Sequence, residues 1–125
     1  MLKEKSERNL IVTLTFDFSV AVIEYCSQLE DQRKFTLANQ LLKSATSIGA
    51  NVHEAQNAES KADFIHKFKI AAKEADETEY GLQLCSKAKG LPNPGSLLQM
   101  LDTIMKIINK IVATSKTDKV KSYPN

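Results

Sequence analysis

The stretch FIHKFKIAAKEADETEYGLQLCSKA, residues 64–88, decides the fold. Apolar and small residues recur in it at alternating steps of four and three, at Phe64, Phe68, Ala71, Ala75, Thr78, Leu82 and Cys85. This spacing places them on one side of an α-helix as a heptad-like seam, whereas a strand would alternate at every second residue. The stretch therefore predicts a long helix with one buried side.

Three further segments show the same spacing. The second segment carries Ala38, Leu41, Ala45, Ile48 and Val52, and the fourth carries Leu97, Leu101, Ile104, Ile108 and Ile111. The first is rich in β-branched residues, but its length without Gly or Pro exceeds that of a strand. Its seam is expected at Leu10, Leu14, Phe18, Ala21, Tyr25 and Leu29.

Polar or Gly- and Pro-rich breaks separate the segments at QLEDQRKF (28–35), AQNAESKAD (55–63) and KGLPNPGS (89–96). Ser60, three residues before Asp63, forms a weak capping-box pattern, and Ser96 is the expected N-cap of the last helix. We expect helices at about 6–30, 36–56, 61–89 and 96–114, followed by a polar tail at 115–125 that frays. Four helices with short connections predict a single all-α domain over 1–125, an up-and-down antiparallel four-helix bundle.

The composition excludes several classes of protein. With 125 residues, 42% of them hydrophobic and 26% charged, the chain is typical of one globular domain. Lys and Arg number 17 against 15 Asp and Glu, so no strong field directs the protein to nucleic acid or lipid. Cys26 and Cys85 lack metal-ligand spacing and are expected to be reduced core thiols rather than a disulfide or redox pair.

The N-terminal sequence MLKEKSERN is charged, and Asp17 and Glu24 interrupt the apolar run that follows it. A membrane span requires about 18 apolar residues. We therefore expect no signal peptide, no membrane anchor and a cytoplasmic location.

The residues offer little chemistry. His53 and His66 have no evident nucleophile to activate, and each is interpreted as a surface or half-buried residue. A di-iron bundle requires two Glu-x-x-His units, to which Asp63 with His66 is the nearest match and has the wrong acid. The four glycines form no phosphate-binding loop, so we expect no catalytic residue, metal, cofactor or small-molecule substrate, and no enzyme.

The first helix carries more apolar surface than a monomeric bundle needs. A second stripe lies away from its core seam and consists of Val12, Phe16, Val20 and Ile23. Large exposed apolar patches mark interfaces. The stripe predicts self-association, and the alternative is that the first helix lies deep beneath the fourth helix or the tail.

Two linked motifs carry a resemblance to a known family. They are SIGANVHEA, with Ser47, Ile48, Asn51 and Glu54, and the later positions Phe64, Phe68, Ala71, Glu77 and Leu82. Over residues 10–112 the chain resembles the bacterial four-helix-bundle proteins encoded in intervening sequences of 23S ribosomal RNA genes. It departs from their pattern at Ala55, where Gly is usual, and at Gly81, where an aromatic residue often precedes the Leu.

The resemblance implies an antiparallel four-helix bundle that forms ring-shaped homo-oligomers, notably pentamers, with no established molecular function. It favours a non-enzymatic scaffold or adaptor. A similar bundle, the accessory protein of diversity-generating retroelements, binds nucleic acid, so binding of RNA or DNA by a basic belt is the alternative. The candidate contacts are His66, Lys69 and Lys73 on the third helix and Lys106 and Lys110 on the fourth, with Lys116, Lys119 and Lys121 following.

The small residues of the second helix, Ala45, Gly49 and Val52, have the spacing of a close helix crossing. Asn51 and Glu54 lie three residues apart and face one direction. We expect this polar pair to bond to the third helix near Glu77 or to a helix end, in a structural role, with ligand binding as the alternative.

Overall fold

The computed structural model describes residues 2–117, with side chains from residue 6 onward. Within that range it contains four helices and no strand: α1 (Leu2–Asp31), α2 (Phe35–Ala55), α3 (Lys61–Lys87) and α4 (Leu97–Thr117). The all-α prediction is confirmed. Helix α4 continues three residues beyond its predicted end at 114, because Ser115 is buried and extends its inner side. The rest of the predicted tail, 118–125, lies outside the described residues.

The helices pack in chain order around one core. Helix α2 contacts α1 and α3, and α4 contacts α3 and closes the arrangement against α1. The connections at 32–34, 56–60 and 88–96 are too short for anything but a reversal of direction between neighbours. The architecture is therefore an up-and-down antiparallel four-helix bundle.

The core seams predicted for three helices are confirmed. Every seam residue named for α2, α3 and α4 is buried, and each belongs to a single apolar cluster or, in the case of Thr78, lies within it. A buried hydrogen bond crosses this core, in which Thr78 Oγ1 donates to Ser44 Oγ at 2.9 Å. The bond joins α2 to α3 at one register.

The predicted seam of α1 is buried at Phe18, Tyr25 and Leu29, but at Leu10, Leu14 and Ala21 the buried residue is the next one along the chain. Leu10 is 46% exposed, whereas Ile11 and Val22 are completely buried. At these three positions the core side is turned by about one residue, and Thr15 lies on it because its hydroxyl donates to the Ile11 carbonyl at 2.8 Å. Since apolar residues occur on both sides of α1, helical spacing alone did not determine which side faces inward.

The helix ends use local capping and one long-range bond. Ser60 Oγ accepts the Asp63 backbone N–H at 3.0 Å, as the capping pattern predicted. In the connection before α4, Gly90 and Gly95 have φ angles of 85° and 61°, where a side chain would be strained. The Tyr25 hydroxyl donates to the Pro92 carbonyl at 2.6 Å and so holds this connection against α1.

Helix α1 is the one described helix whose length and composition would allow it to cross a membrane, over Ser6–Asp31. The sequence-based expectation was that Asp17 and Glu24 leave an apolar stretch too short to span a membrane. By length and composition the helix is long and apolar enough despite these two residues. The bundle accounts for the apolar character, because one side of α1 supplies Phe18 and Leu29 to the core. A core helix of a bundle can be as long and as apolar as a membrane-spanning helix.

Candidate interaction surface

The outer stripe of α1, defined as Val12, Phe16, Val20 and Ile23, lies mostly at the surface. Phe16 is 68% exposed, Ile23 51% and Val20 42%, while Val12 is half-buried against the core cluster. The alternative of a deeply covered α1 is therefore wrong for the isolated chain over the described residues. Phe16 is the most exposed large apolar side chain among them.

A groove runs beside the outer stripe, between α1 and α2. Its volume is about 450 Å³. We call it the α1–α2 groove. It is lined by Val12, Thr15, Phe16, Ser19, Thr46, Gly49, Ala50, His53 and Glu54. Most of this lining is apolar or small, so the groove extends the apolar character of the outer stripe onto α2.

The predicted close helix crossing is confirmed at Gly49. A Cβ atom built on Gly49 would lie 3.3 Å from the Thr15 carbonyl oxygen and 3.5 Å from Ser19 Oγ. Ala45 and Val52 are buried on the same helix. Because Gly49 has no side chain, α1 and α2 approach closely, and the hollow above the crossing stays open as the groove.

Three of the four polar motif residues, Ser47, Asn51 and Glu54, form bonds within α2 or one ion pair between helices. Ser47 Oγ donates to the Lys43 carbonyl at 2.7 Å, and Asn51 Nδ2 donates to the Ser47 carbonyl at 2.9 Å, both within α2. Glu54 accepts from Lys67 on α3 at 3.0 Å. This hydrogen bond, followed by the charge of Glu54, raises the pKa of Lys67.

The expectation that Asn51 and Glu54 bond to the third helix is confirmed for Glu54 and wrong for Asn51, and the predicted position near Glu77 is wrong. Asn51 bonds inside its own helix, and the partner of Glu54 lies ten positions before Glu77 on α3. Glu77 is exposed and lies beside Glu74, whose pKa is raised first by burial and then by the charge of Glu77. The long Lys67 side chain reaches Glu54 across the α2–α3 contact, which sequence spacing could not specify.

The basic rows behave differently on the two helices that carry them. His66, Lys69 and Lys73 are exposed on α3. On α4, Lys106 pairs with Asp102 at 3.0 Å and Lys110 with Glu7 at 2.8 Å.

Lys69 of α3 approaches Lys116 at the end of α4. The contact with Lys69, whose positive charge disfavours a second ammonium group beside it, lowers the pKa of Lys116. Both side chains are exposed, so α3 and α4 each present a basic group at this surface. The remaining members of the predicted basic tail, Lys119 and Lys121, lie outside the described residues.

The titratable residues offer no evident catalytic arrangement in the described part of the chain. No group of three or more His, Cys, Asp or Glu side chains there could hold a metal ion. Cys26 and Cys85 are free and buried. Burial, with smaller contributions from Glu30 and Cys85, raises the pKa of the Cys26 thiol to about 11, so it stays protonated at neutral pH.

Sequence reasoning missed the groove and the hydrogen bond between Tyr25 and Pro92. The signal for the groove was the run of small residues Thr46, Gly49 and Ala50 on the outer side of α2. The Tyr25–Pro92 bond had no sequence signal, because the two residues are 67 positions apart.

Comparison with known proteins finds one matching protein family and a similar solved structure. A family model described as 23S rRNA-intervening sequence protein matches residues 7–110. Among solved structures, a protein of unknown function from the S23 ribosomal protein family of Bacteroides thetaiotaomicron is similar, with a TM-score of 0.80 and 35% sequence identity. The match covers 86% of this chain and 98% of that one. No curated protein matches.

Proposed function

The chain belongs to the 23S rRNA-intervening sequence protein family, and from this premise we propose that it acts as a non-enzymatic, homo-oligomeric scaffold or adaptor in the bacterial cytoplasm. The family resemblance favours a ring, notably a pentamer. The name of the family describes where its genes lie and assigns no reaction.

The exposed outer stripe is the observation that carries this proposal. Phe16, Val20 and Ile23 lie at the surface of the same helix whose other side fills the core. Burying apolar surface contributes about 25 cal/mol per Å², which is the main driving force of association. A second copy of the chain, placed against the stripe, would remove this surface from water.

Gel filtration coupled to light scattering tests the assembly. We expect the wild-type mass at micromolar concentration to be a multiple of 13.9 kDa, with five as the expected multiple. Phe16→Glu should shift the protein to monomer, because a carboxylate buried without a partner costs several kcal/mol. Tyr80→Glu is the matched control, since Tyr80 is a similarly exposed aromatic residue on α3, at 66%.

Two results would contradict the proposal. A wild-type mass of 13.9 kDa throughout the micromolar range would exclude self-association under those conditions. Equal dissociation of the Phe16 and Tyr80 variants would exclude a specific contact at α1. Circular dichroism of both variants distinguishes loss of assembly from loss of helix.

Binding of RNA or DNA is the second candidate function, and the exposed basic side chains His66, Lys69 and Lys73 of α3, with Lys116 of α4, support it. Repeated around a ring, these side chains would form a basic belt. Binding through such a belt weakens steeply with salt, because bound phosphates release counterions. The ion pairs of Lys106 and Lys110 reduce what α4 contributes.

Fluorescence anisotropy with labelled single-stranded RNA and duplex DNA tests this candidate. We expect measurable binding at about 50 mM salt that falls at least tenfold by about 200 mM, and that is lost in Lys69→Glu/Lys116→Glu. Lys106→Glu serves as the control, since Lys106 is already paired with Asp102. Absence of binding by the assembled wild-type protein at low salt would exclude a basic belt.

A further inference from the structure

We propose that the α1–α2 groove receives the Phe16 side chain of a second copy of this chain. The contact between copies would then cover α1 and α2 together. This inference rests on the self-association proposed above and specifies which two surfaces meet.

The size of the outer stripe requires a wider contact. A helix rises about 1.5 Å per residue and is about 10 Å wide, so the stripe from Val12 to Ile23 is about 18 Å long. Its footprint is on the order of 200 Å², whereas a specific contact covers about 800 Å² on each partner. The stripe alone is too small for stable assembly, and the apolar surface that adjoins it is the groove.

The shape of the patch suits a copy of itself. Phe16 projects from the edge of the groove and is 68% exposed. The hollow beside it is open because Gly49 and Ala50 carry little or no side chain. Neighbouring copies in a ring meet through two different surfaces, so the Phe16 ring of one copy would enter the hollow of the next.

The chemistry of the groove favours an aromatic occupant over a charged one. Its titratable lining residues are His53 and Glu54, and Glu54 is already paired with Lys67 at 3.0 Å. Neither Lys nor Arg lines it, so it offers no cation to a phosphate or a carboxylate. A phenyl ring would cover Val12 and Ala50 without burying an unpaired charge.

Mixed-cysteine cross-linking tests the geometry directly. Phe16→Cys protein is mixed with Ala50→Cys protein under mild oxidation, so that a disulfide between the two sites can form only between copies. We expect the disulfide-linked mixed dimer, detected on a non-reducing gel, to form at least about tenfold faster than the dimer of Lys73→Cys with Ala50→Cys. The reason is that contact raises the local thiol concentration. Cys26 and Cys85 are buried and contribute little background.

Ala50→Leu tests the groove without removing Phe16. Leucine at this exposed position fills the hollow on its own subunit, and unchanged circular dichroism verifies the fold. We expect the dissociation constant of the assembly to rise at least about tenfold, while Ala50→Ser, similar in size to the original, leaves it unchanged.

The outcomes separate this inference from the proposed function. A monomeric wild-type protein would overturn both. An assembled wild-type protein whose affinity is unaffected by Ala50→Leu, and which gives no mixed disulfide above the Lys73 control, would overturn the groove contact and leave self-association standing.

Discussion

Gly49 and Gly81 both lie inside helices, and they differ in the kind of atom that an added Cβ would contact. A Cβ on Gly49 would lie 3.3 Å from the Thr15 carbonyl oxygen, and a Cβ on Gly81 would lie 3.2 Å from Leu41 Cδ1. The distances are nearly equal. The carbonyl oxygen belongs to the backbone of α1 and moves only if the helix moves, whereas the leucine methyl group moves by side-chain rotation.

Alanine at the two positions should therefore have opposite effects on stability. Gly81→Ala should raise the free energy of unfolding by about 0.5–1 kcal/mol, since alanine favours the helix and Leu41 can adjust. Gly49→Ala should lower the free energy of unfolding by about 1 kcal/mol, because the cost of overpacking at the α1–α2 crossing exceeds the gain in helix propensity. Urea denaturation measures both, and a rise of equal size in both variants would show that the crossing is not tight.

The buried bond between Ser44 and Thr78 should be visible in a double-mutant cycle. Thr78→Val removes the donor at 2.9 Å from Ser44 Oγ and should cost about 1–2 kcal/mol of unfolding free energy. Ser44→Ala/Thr78→Val should cost less than the sum of the single changes, because either single change already removes the bond between the helices. The hydroxyl that remains keeps only its bond within its own helix, to the Leu41 or the Glu74 carbonyl. Additive costs in urea denaturation would show that the two hydroxyls do not interact.

At the residue scale the sequence predicted sides of helices better than side-chain partners. The buried seam of α3 followed directly from residue spacing. The partner of Glu54 did not, because several polar side chains on α3 share the facing side and only the packed structure selects Lys67. Spacing determines a direction from the helix axis, and side-chain rotamers decide the contact.

Among the elements, α1 was the hardest to place, and the reason is its composition. Helices α2, α3 and α4 have mostly polar outer sides, with exceptions such as Phe35 and Tyr80, and their spacing leaves one choice of inner side. In α1, apolar residues such as Leu10 and Val20 occur at the surface, while Ile11 is completely buried. The misplacement of part of the α1 seam and the exposed stripe have the same origin, an excess of apolar residues on one helix.

The end of α1 should make the bundle sensitive to alkaline pH. Burial, followed by a hydrogen bond with Cys85, raises the pKa of Tyr25, and burial raises the pKa of Cys26 to about 11. Cysteine in an unfolded chain titrates near 8.5 and tyrosine near 10. Because the folded pKa of Cys26 is raised, the stability that its protonated thiol contributes is complete below about pH 8.5 and is lost as the pH rises through about 11. The contribution of Tyr25 is complete below about pH 10 and is lost only above that, as the pH rises through its raised pKa.

Urea midpoints measured between about pH 7 and 10.5 check this expectation. The wild-type midpoint should be constant near neutrality and fall above about pH 8.5, and Cys26→Ala should make the fall shallower. Tyr25 contributes only above about pH 10, so the remaining fall in that variant should begin there. A midpoint that stays constant to pH 10.5 would show that the Cys26 thiol is not stabilised in its protonated form.

For the whole molecule, the core and the proposed interface draw on the same helix. Residue spacing predicted the bundle because each seam lies within one helix. The α1–α2 groove could not be predicted, because it depends on how closely two helices approach at Gly49. Surfaces formed by two elements become visible only when the packing is known, and the apolar surface left over here is shared by α1 and α2.

If copies of the chain assemble through this surface, thermal stability must depend on protein concentration. Association stabilises the folded state by mass action, so the Tm of the wild-type protein should rise by roughly 5 °C or more over a hundredfold increase in concentration. Phe16→Glu should have the same Tm at every protein concentration, because a monomer is not stabilised by association. Tyr80→Glu should keep the wild-type dependence, since Tyr80 lies on α3. A concentration-independent wild-type Tm in differential scanning calorimetry would mean that folding and association are not coupled.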